Sequence, residues 1–207
     1  MNDLVCLVAD KSMEAAMDAV MRRPLAIGMR PIKFEIIVHP NRDPGCFHRA
    51  SELLTGYRHA ASHAMVLFDV AWDGAPTQDA SDLELRLRER LAVAFGADWA
   101  EAVAIGPELE AWVFSDSPHV PAILGWSGRS PDLRTALANE GLWPADLAKP
   151  PDPKRAMERA LTITRKALSS SIFREIATRV SLTRCEDRAF LRMKGILTSW
   201  FPSNATE

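Results

Sequence analysis

Four apolar runs of strand length, each closed by polar residues, set the rhythm of the first half of the chain. Leu4 to Ala9 carries no charge and ends in Asp10-Lys11-Ser12. Beyond it Met13, Met17, Val20 and Met21 fall on one helix face, and the pattern stops before Pro24. Ser12 is the expected N-cap of this helix, with Glu14 in a first turn where negative charge suits the dipole. Ile32 to Val38 reads as a second strand; Glu35 in its middle implies either an edge strand or a side chain turned to solvent. A loop from His39 to Gly45, dense in Pro, Gly and polar groups, leads to a short helix over His48 to Tyr57. Ala64 to Phe68 then forms a third strand that ends on Asp69, with Asp73 close behind. Asp79 to Phe95 repeats Leu83, Leu87, Leu91 and Phe95 on one face with charges outside. Glu101 to Ile105 gives the fourth strand, and Pro107 suits the first turn of a helix through Ala111, Trp112 and Phe114.

Short uncharged runs of this kind are what strands look like when both faces are covered, and their alternation with helices predicts an α/β fold. The expected architecture is a mostly parallel four-stranded sheet flanked by helices. From Ser115 the pattern breaks around Pro118, Pro121, Gly125, Trp126, Gly128 and Pro131. Trp112, Trp126 and Trp143 are expected to pin this irregular stretch to the core. After Lys149-Pro150-Pro151-Asp152-Pro153-Lys154 only helices follow: Pro153 to Leu168, Ser171 to Val180 and Glu186 to Phe201, the last anchored by Trp200 and Phe201. The chain therefore divides into an α/β core over 1–148 and a C-terminal helical extension over 149–207 that packs on it.

Composition narrows the function by exclusion. With a formal net charge of −2 there is no global basic field to announce a nucleic-acid binder, although a local patch remains compatible with one. Cys6, Cys46 and Cys185 are far apart and lack metal-ligand spacing, which argues against a zinc site or a disulfide framework and for a reducing cytoplasm. Asp3 before a short apolar run is unlike a signal peptide, and no run reaches membrane-span length.

In an open parallel sheet the ligand crevice lies beyond the carboxyl ends of the strands. The side chains expected on that rim are Asp10, His39, Asp69, Asp73, Glu108 and Glu110. Each alone is equally an N-cap or first-turn residue. Together they repel unless a cation sits among them, and Mg²⁺ or Mn²⁺, hard ions that take oxygen ligands, fit such a set. His39 reads either as a ligand or as a loop residue held by its own backbone. His39, Arg42, Lys149 and Lys154 are the candidate substrate-binding groups; the two lysines flank a rigid turn that is otherwise a solvated linker. Arg165 and Lys166 before Ser169-Ser170-Ser171 read as a phosphate site or as ordinary serine capping.

A first strand ending in an acid, a later strand ending in Phe68-Asp69, and PELEAWVFSDS after a further strand resemble the Toprim-related small proteins encoded beside ATPases and methyltransferases in prokaryotic anti-phage loci. Lys149-Pro150-Pro151, Pro153-Lys154 and Cys185-Glu186-Asp187 through Trp200-Phe201 extend the likeness over nearly the whole chain. The resemblance implies a Toprim-like fold, an acidic Mg²⁺-type site and nuclease activity within a multi-protein defence system. It makes Asp10, Asp69, Glu108 and Glu110 the catalytic acids, and Asp69, Asp73, Glu108 and Glu110 the metal ligands. Asp10 stands where Toprim enzymes carry glutamate. Asp69 matches the first acid of their Asp-x-Asp pair, and Ala71 replaces the second. The alternative it implies is a subunit without turnover that docks on an ATPase or methyltransferase partner.

Overall fold

The computed structural model describes residues 1–203. Its elements run β1 (Asn2–Val8), α1 (Lys11–Met21), α2 (Pro24–Ile27), β2 (Phe34–Val38), α3 (Arg42–Leu54), β3 (Ala61–Asp69), α4 (Ala80–Phe95) and β4 (Ala100–Ile105). There follow α5 (His119–Ile123), α6 (Leu133–Asn139), α7 (Pro153–Thr164), α8 (Ser170–Arg179) and α9 (Arg188–Trp200), with single 3₁₀ turns at Thr55–Tyr57 and Leu109–Trp112. The four strands form one sheet in the order β2-β1-β3-β4, and every pair is parallel. Leu4 to Val8, Met65 to Phe68 and Ala102 to Ile105 are completely buried, which is why their sequences run apolar without alternation.

This strand order reverses direction once. The chain leaves β1 for β2 on one side and returns to β3 on the other, so the switch point lies between β1 and β3. Val8 pairs with Leu67, and two residues beyond that pair stand Asp10 and Asp69. β2 is an outer strand, one of the two readings that Glu35 had left open, and Glu35 is half-buried there. Its carboxylate accepts from Asn2 Nδ2 at 3.0 Å and from the Tyr57 hydroxyl at 3.2 Å.

At the other edge, β4 is closed by side chains. The Ala104 N–H donates to Glu84 Oε1 at 2.9 Å, and the Ala102 carbonyl accepts from Arg192 Nε at 3.0 Å. Glu84, 4% exposed, also receives Arg188 at 2.6 Å and Arg192 at 3.2 Å, while Glu101 receives Arg88 at 2.8 Å and Arg192 at 3.0 Å. These bonds tie α4, β4 and α9 together and cover an edge that would otherwise offer unpaired backbone groups. Apolar residues of α7, α8 and α9, among them Met157, Phe173, Ile176, Phe190 and Met193, join the same buried cluster as the strands. Trp126 and Trp143 are buried in the irregular stretch, and Trp200 stacks on His63 with centroids 4.5 Å apart. Among the described residues no helix is long and apolar enough to cross a membrane.

Three local expectations are corrected. Asp10, not Ser12, caps α1: its Oδ1 accepts from Ser12 N at 2.9 Å and Met13 N at 2.8 Å, so the helix starts one residue earlier than the serine. The third helix begins at Arg42 rather than His48, because Pro44 falls in a first turn, where a missing N–H costs nothing. The helix expected from Pro107 is only the turn Leu109–Trp112. The Pro107 carbonyl is already taken by the N–H groups of Val70 and Ala71, at 3.1 and 3.0 Å, and Glu108 is extended at φ −149°.

Candidate functional site

β3 delivers Asp69 to the carboxyl edge of the sheet, beside the switch point. Its backbone N–H donates to Asp43 Oδ1 at 2.8 Å. Its own Oδ1 is withdrawn from solvent and has no hydrogen-bond partner among the described residues, although the residue as a whole keeps some exposure. A buried carboxylate oxygen left unpaired is costly, more so than a neutral group, and calls for an explanation. Burial first, then the negative charges of Asp43, Glu110, Asp10 and Glu108, hold the Asp69 carboxyl well above the usual carboxylate range. Burial likewise raises Asp43, opposed by the Asp69 N–H and by Arg42, with Asp10 adding to the rise. Glu110 is raised by burial, with Glu108 and Asp10 pushing the same way and its own backbone hydrogen bond and Lys154 opposing them. The carboxyl ends of β1, β3 and β4 and the start of α3 thus bring five acids into one electrostatic neighbourhood.

Asp43 is the member that sequence patterning missed. The loop after β2 carries it there. His39 is buried, and its Nδ1 accepts from Asn41 N at 3.0 Å. The imidazole lies so close to Gly45 that a Cβ there would fall 2.1 Å from Nδ1. Arg42 adopts left-handed backbone at φ 49°, a conformation that costs a non-glycine residue energy and clusters at functional sites. The useful signal was the Asp-Pro-Gly run itself, which places an acid in a helix's first turn at a strand's carboxyl end.

The expected site residues therefore divide. Asp10, Asp69, Glu108 and Glu110 interact with one another. Asp73 does not join them: Trp72 turns inward onto Phe47 and Phe68, with centroids 5.5 and 5.7 Å away, and Asp73 is left exposed in the following turn. His39 serves its own loop; burial, with Arg49 adding, lowers its tendency to protonate. Lys149 pairs with Asp187 at 2.9 Å, while Lys154 reaches Glu108 Oε1 at 3.0 Å. Arg42 is exposed beside Asp43.

Among the described residues no three His, Cys, Asp or Glu side chains are arranged to hold a metal ion together. The four-carboxylate ligand set expected from sequence is thus not assembled as a cage; Asp73 faces solvent and Glu108 is engaged by Lys154. What remains are hard oxygen donors around one orphaned carboxylate oxygen. That fits an ion which keeps several waters and takes only one or two protein carboxylates, completing its shell with substrate phosphate, as Mg²⁺ does. No family model, no curated protein and no solved structure matches this chain.

Proposed function

We propose that the chain is a Toprim-like, divalent-metal-dependent phosphodiester hydrolase that acts on nucleic acid within a prokaryotic anti-phage system. The observation that carries this reading is the Asp69 Oδ1, desolvated and unpaired, amid four further acids at the switch point of a parallel sheet. Asp69 and Glu110 would hold Mg²⁺ or Mn²⁺. When bound, such an ion activates a water and neutralises charge developing on phosphoryl oxygens. Asp43 braces Asp69 by accepting its backbone N–H. Asp10, fixed by its bonds to the first turn of α1, orients the attacking water and takes its proton. Arg42 and Lys154 supply the positive charge that a phosphodiester backbone needs at the rim. Ala71 in place of a second Asp supports one ion rather than two.

Ala71 also favours a second reading, a subunit without turnover that docks on an ATPase or methyltransferase. Incubating the purified chain with Mg²⁺ or Mn²⁺ and single- and double-stranded DNA and RNA separates the two. The first reading expects cleavage that chelation abolishes and added metal restores. Absence of cleavage on every substrate, with co-purification of a neighbouring ATPase or methyltransferase, is the outcome expected of the second.

A further inference from the structure

Against the Leu109–Trp112 turn that follows β4, α1, α8 and the start of α9 enclose a cavity of about 90 Å³. Its walls are apolar, formed by Val20, Leu109, Trp112, Phe173, Ile176 and Phe190. Ser115 also lines it, and its Oγ is buried with no hydrogen-bond partner among the described residues. At the rim stand Asp116 and Arg184, both exposed.

Native interiors hold few voids larger than one water, because atoms facing a void lose their dispersion contacts. One water needs roughly 10–15 Å³ of such space and two to four polar partners. This cavity is several waters in size, and of the three serines on its wall Ser117 Oγ accepts from the His119 N–H at 3.4 Å and Ser181 Oγ bonds Thr183 Oγ1 at 3.0 Å, which leaves Ser115 Oγ as the buried hydroxyl without a partner among the described residues. It is too large for a single water and too apolar for a cluster of them. It is also somewhat smaller than the roughly 150 Å³ that takes benzene, and it opens at the rim, so a single small ring need not be wholly enclosed. The rim presents one acid and one base, so it favours neither an anion nor a cation.

We propose that this cavity is a binding site for a small neutral amphiphile, one apolar ring or short chain bearing a single hydrogen-bonding group that pairs with Ser115 Oγ. The site is independent of the metal-dependent reading. Leu109 lies between Glu108 and Glu110 in the chain, so an occupant packs on the turn that carries both.

Phenol and toluene, nearly equal in shape, are the probes. Titrated into the ¹⁵N-labelled full chain, each is expected to shift the indole Nε1–H resonance of Trp112, assigned with Trp112→Phe; this group donates to Asp187 Oδ1 at 3.0 Å. Ser115→Ala is expected to weaken phenol about fivefold, the worth of one ordinary hydrogen bond, and to leave toluene unchanged. Ala177→Leu, which fills the cavity from α8, is expected to abolish both shifts. No shift with either probe at millimolar concentration overturns the proposal, as does phenol binding that is indifferent to Ser115→Ala. If Ala177→Leu does not fold, the serine variant decides alone.

Discussion

On the proposed hydrolase reading, Asp69→Asn is expected to lower metal-dependent cleavage by about 10³-fold or more, the scale of several kcal/mol of lost metal-assisted charge stabilisation, and at the same time to make the chelated protein more stable near pH 8. The two effects have one cause. In the folded chain Asp69 is deprived of water and surrounded by negative groups, so its carboxyl holds its proton to higher pH than the ordinary 3.8. Asp43 and Glu110 shift in the same direction from 3.8 and 4.5. The folded state therefore binds more protons than the unfolded chain through the window above those values. Stability is full below it and is lost as pH rises through the folded-state values. Asparagine keeps the shape and removes the charge, so the variant should lose much of this decline and gain on the order of 1–3 kcal/mol at pH 8 without metal. At this chain length that is about 2–4 °C in melting temperature for each kcal/mol. A residue whose charge costs stability and supports turnover is what a functional carboxylate predicts. Melting curves of both proteins in EDTA from pH 4 to 9 test this. A wild-type curve flat with pH, or a variant less stable at pH 8, contradicts it.

Glu84→Ala is expected to have the largest effect on stability, about 2–4 kcal/mol. Two contributions add. The Ala104 N–H inside the covered sheet edge loses its acceptor, which costs about 1–3 kcal/mol. Arg188 and Arg192 lose a buried carboxylate; because their side chains are 49% and 28% exposed, water recovers part of that loss, and the full 3–5 kcal/mol of a broken buried pair does not apply. Glu84→Gln keeps an acceptor for Ala104 and should cost about half as much. Glu101→Ala, where the carboxylate is more exposed, should cost about 1 kcal/mol. Urea titrations give these differences directly. A loss below 1 kcal/mol for Glu84→Ala means that the network is no more than a set of surface ion pairs.

The strands were legible because burial on both faces leaves a continuous apolar run, and Leu4 to Val8 and Ala64 to Phe68 are such runs. Glu35 left two readings open, an edge strand or a side chain turned to solvent, and the place of β2 at the end of the sheet selects the first. Helix starts were less legible, since Asp10 against Ser12 and Arg42 against His48 are settled by which oxygen meets which N–H in space. The turn at Leu109–Trp112 depended on a carbonyl of Pro107 already engaged by β3's continuation, a contact between residues far apart in the chain. The same limit governs the site. Asp10, Asp69, Glu108 and Glu110 follow from the rule that strand ends share a rim. Asp43 enters through a helix that crosses beneath β3, and Asp73 leaves because Trp72 prefers the aromatic pocket of Phe47 and Phe68. Local pattern records which face a residue occupies; it does not record which of two neighbouring acids turns inward.

On the proposed reading, Asp69 binds a divalent cation through its unpaired Oδ1. The most direct test is anomalous diffraction from crystals of the full chain grown with Mn²⁺ near pH 8. The proposal predicts a single manganese peak bonded to the Asp69 carboxylate, with water completing its shell. A crevice without a peak, in which Asp69 is protonated and donates to Asp43 or Glu110, would contradict it.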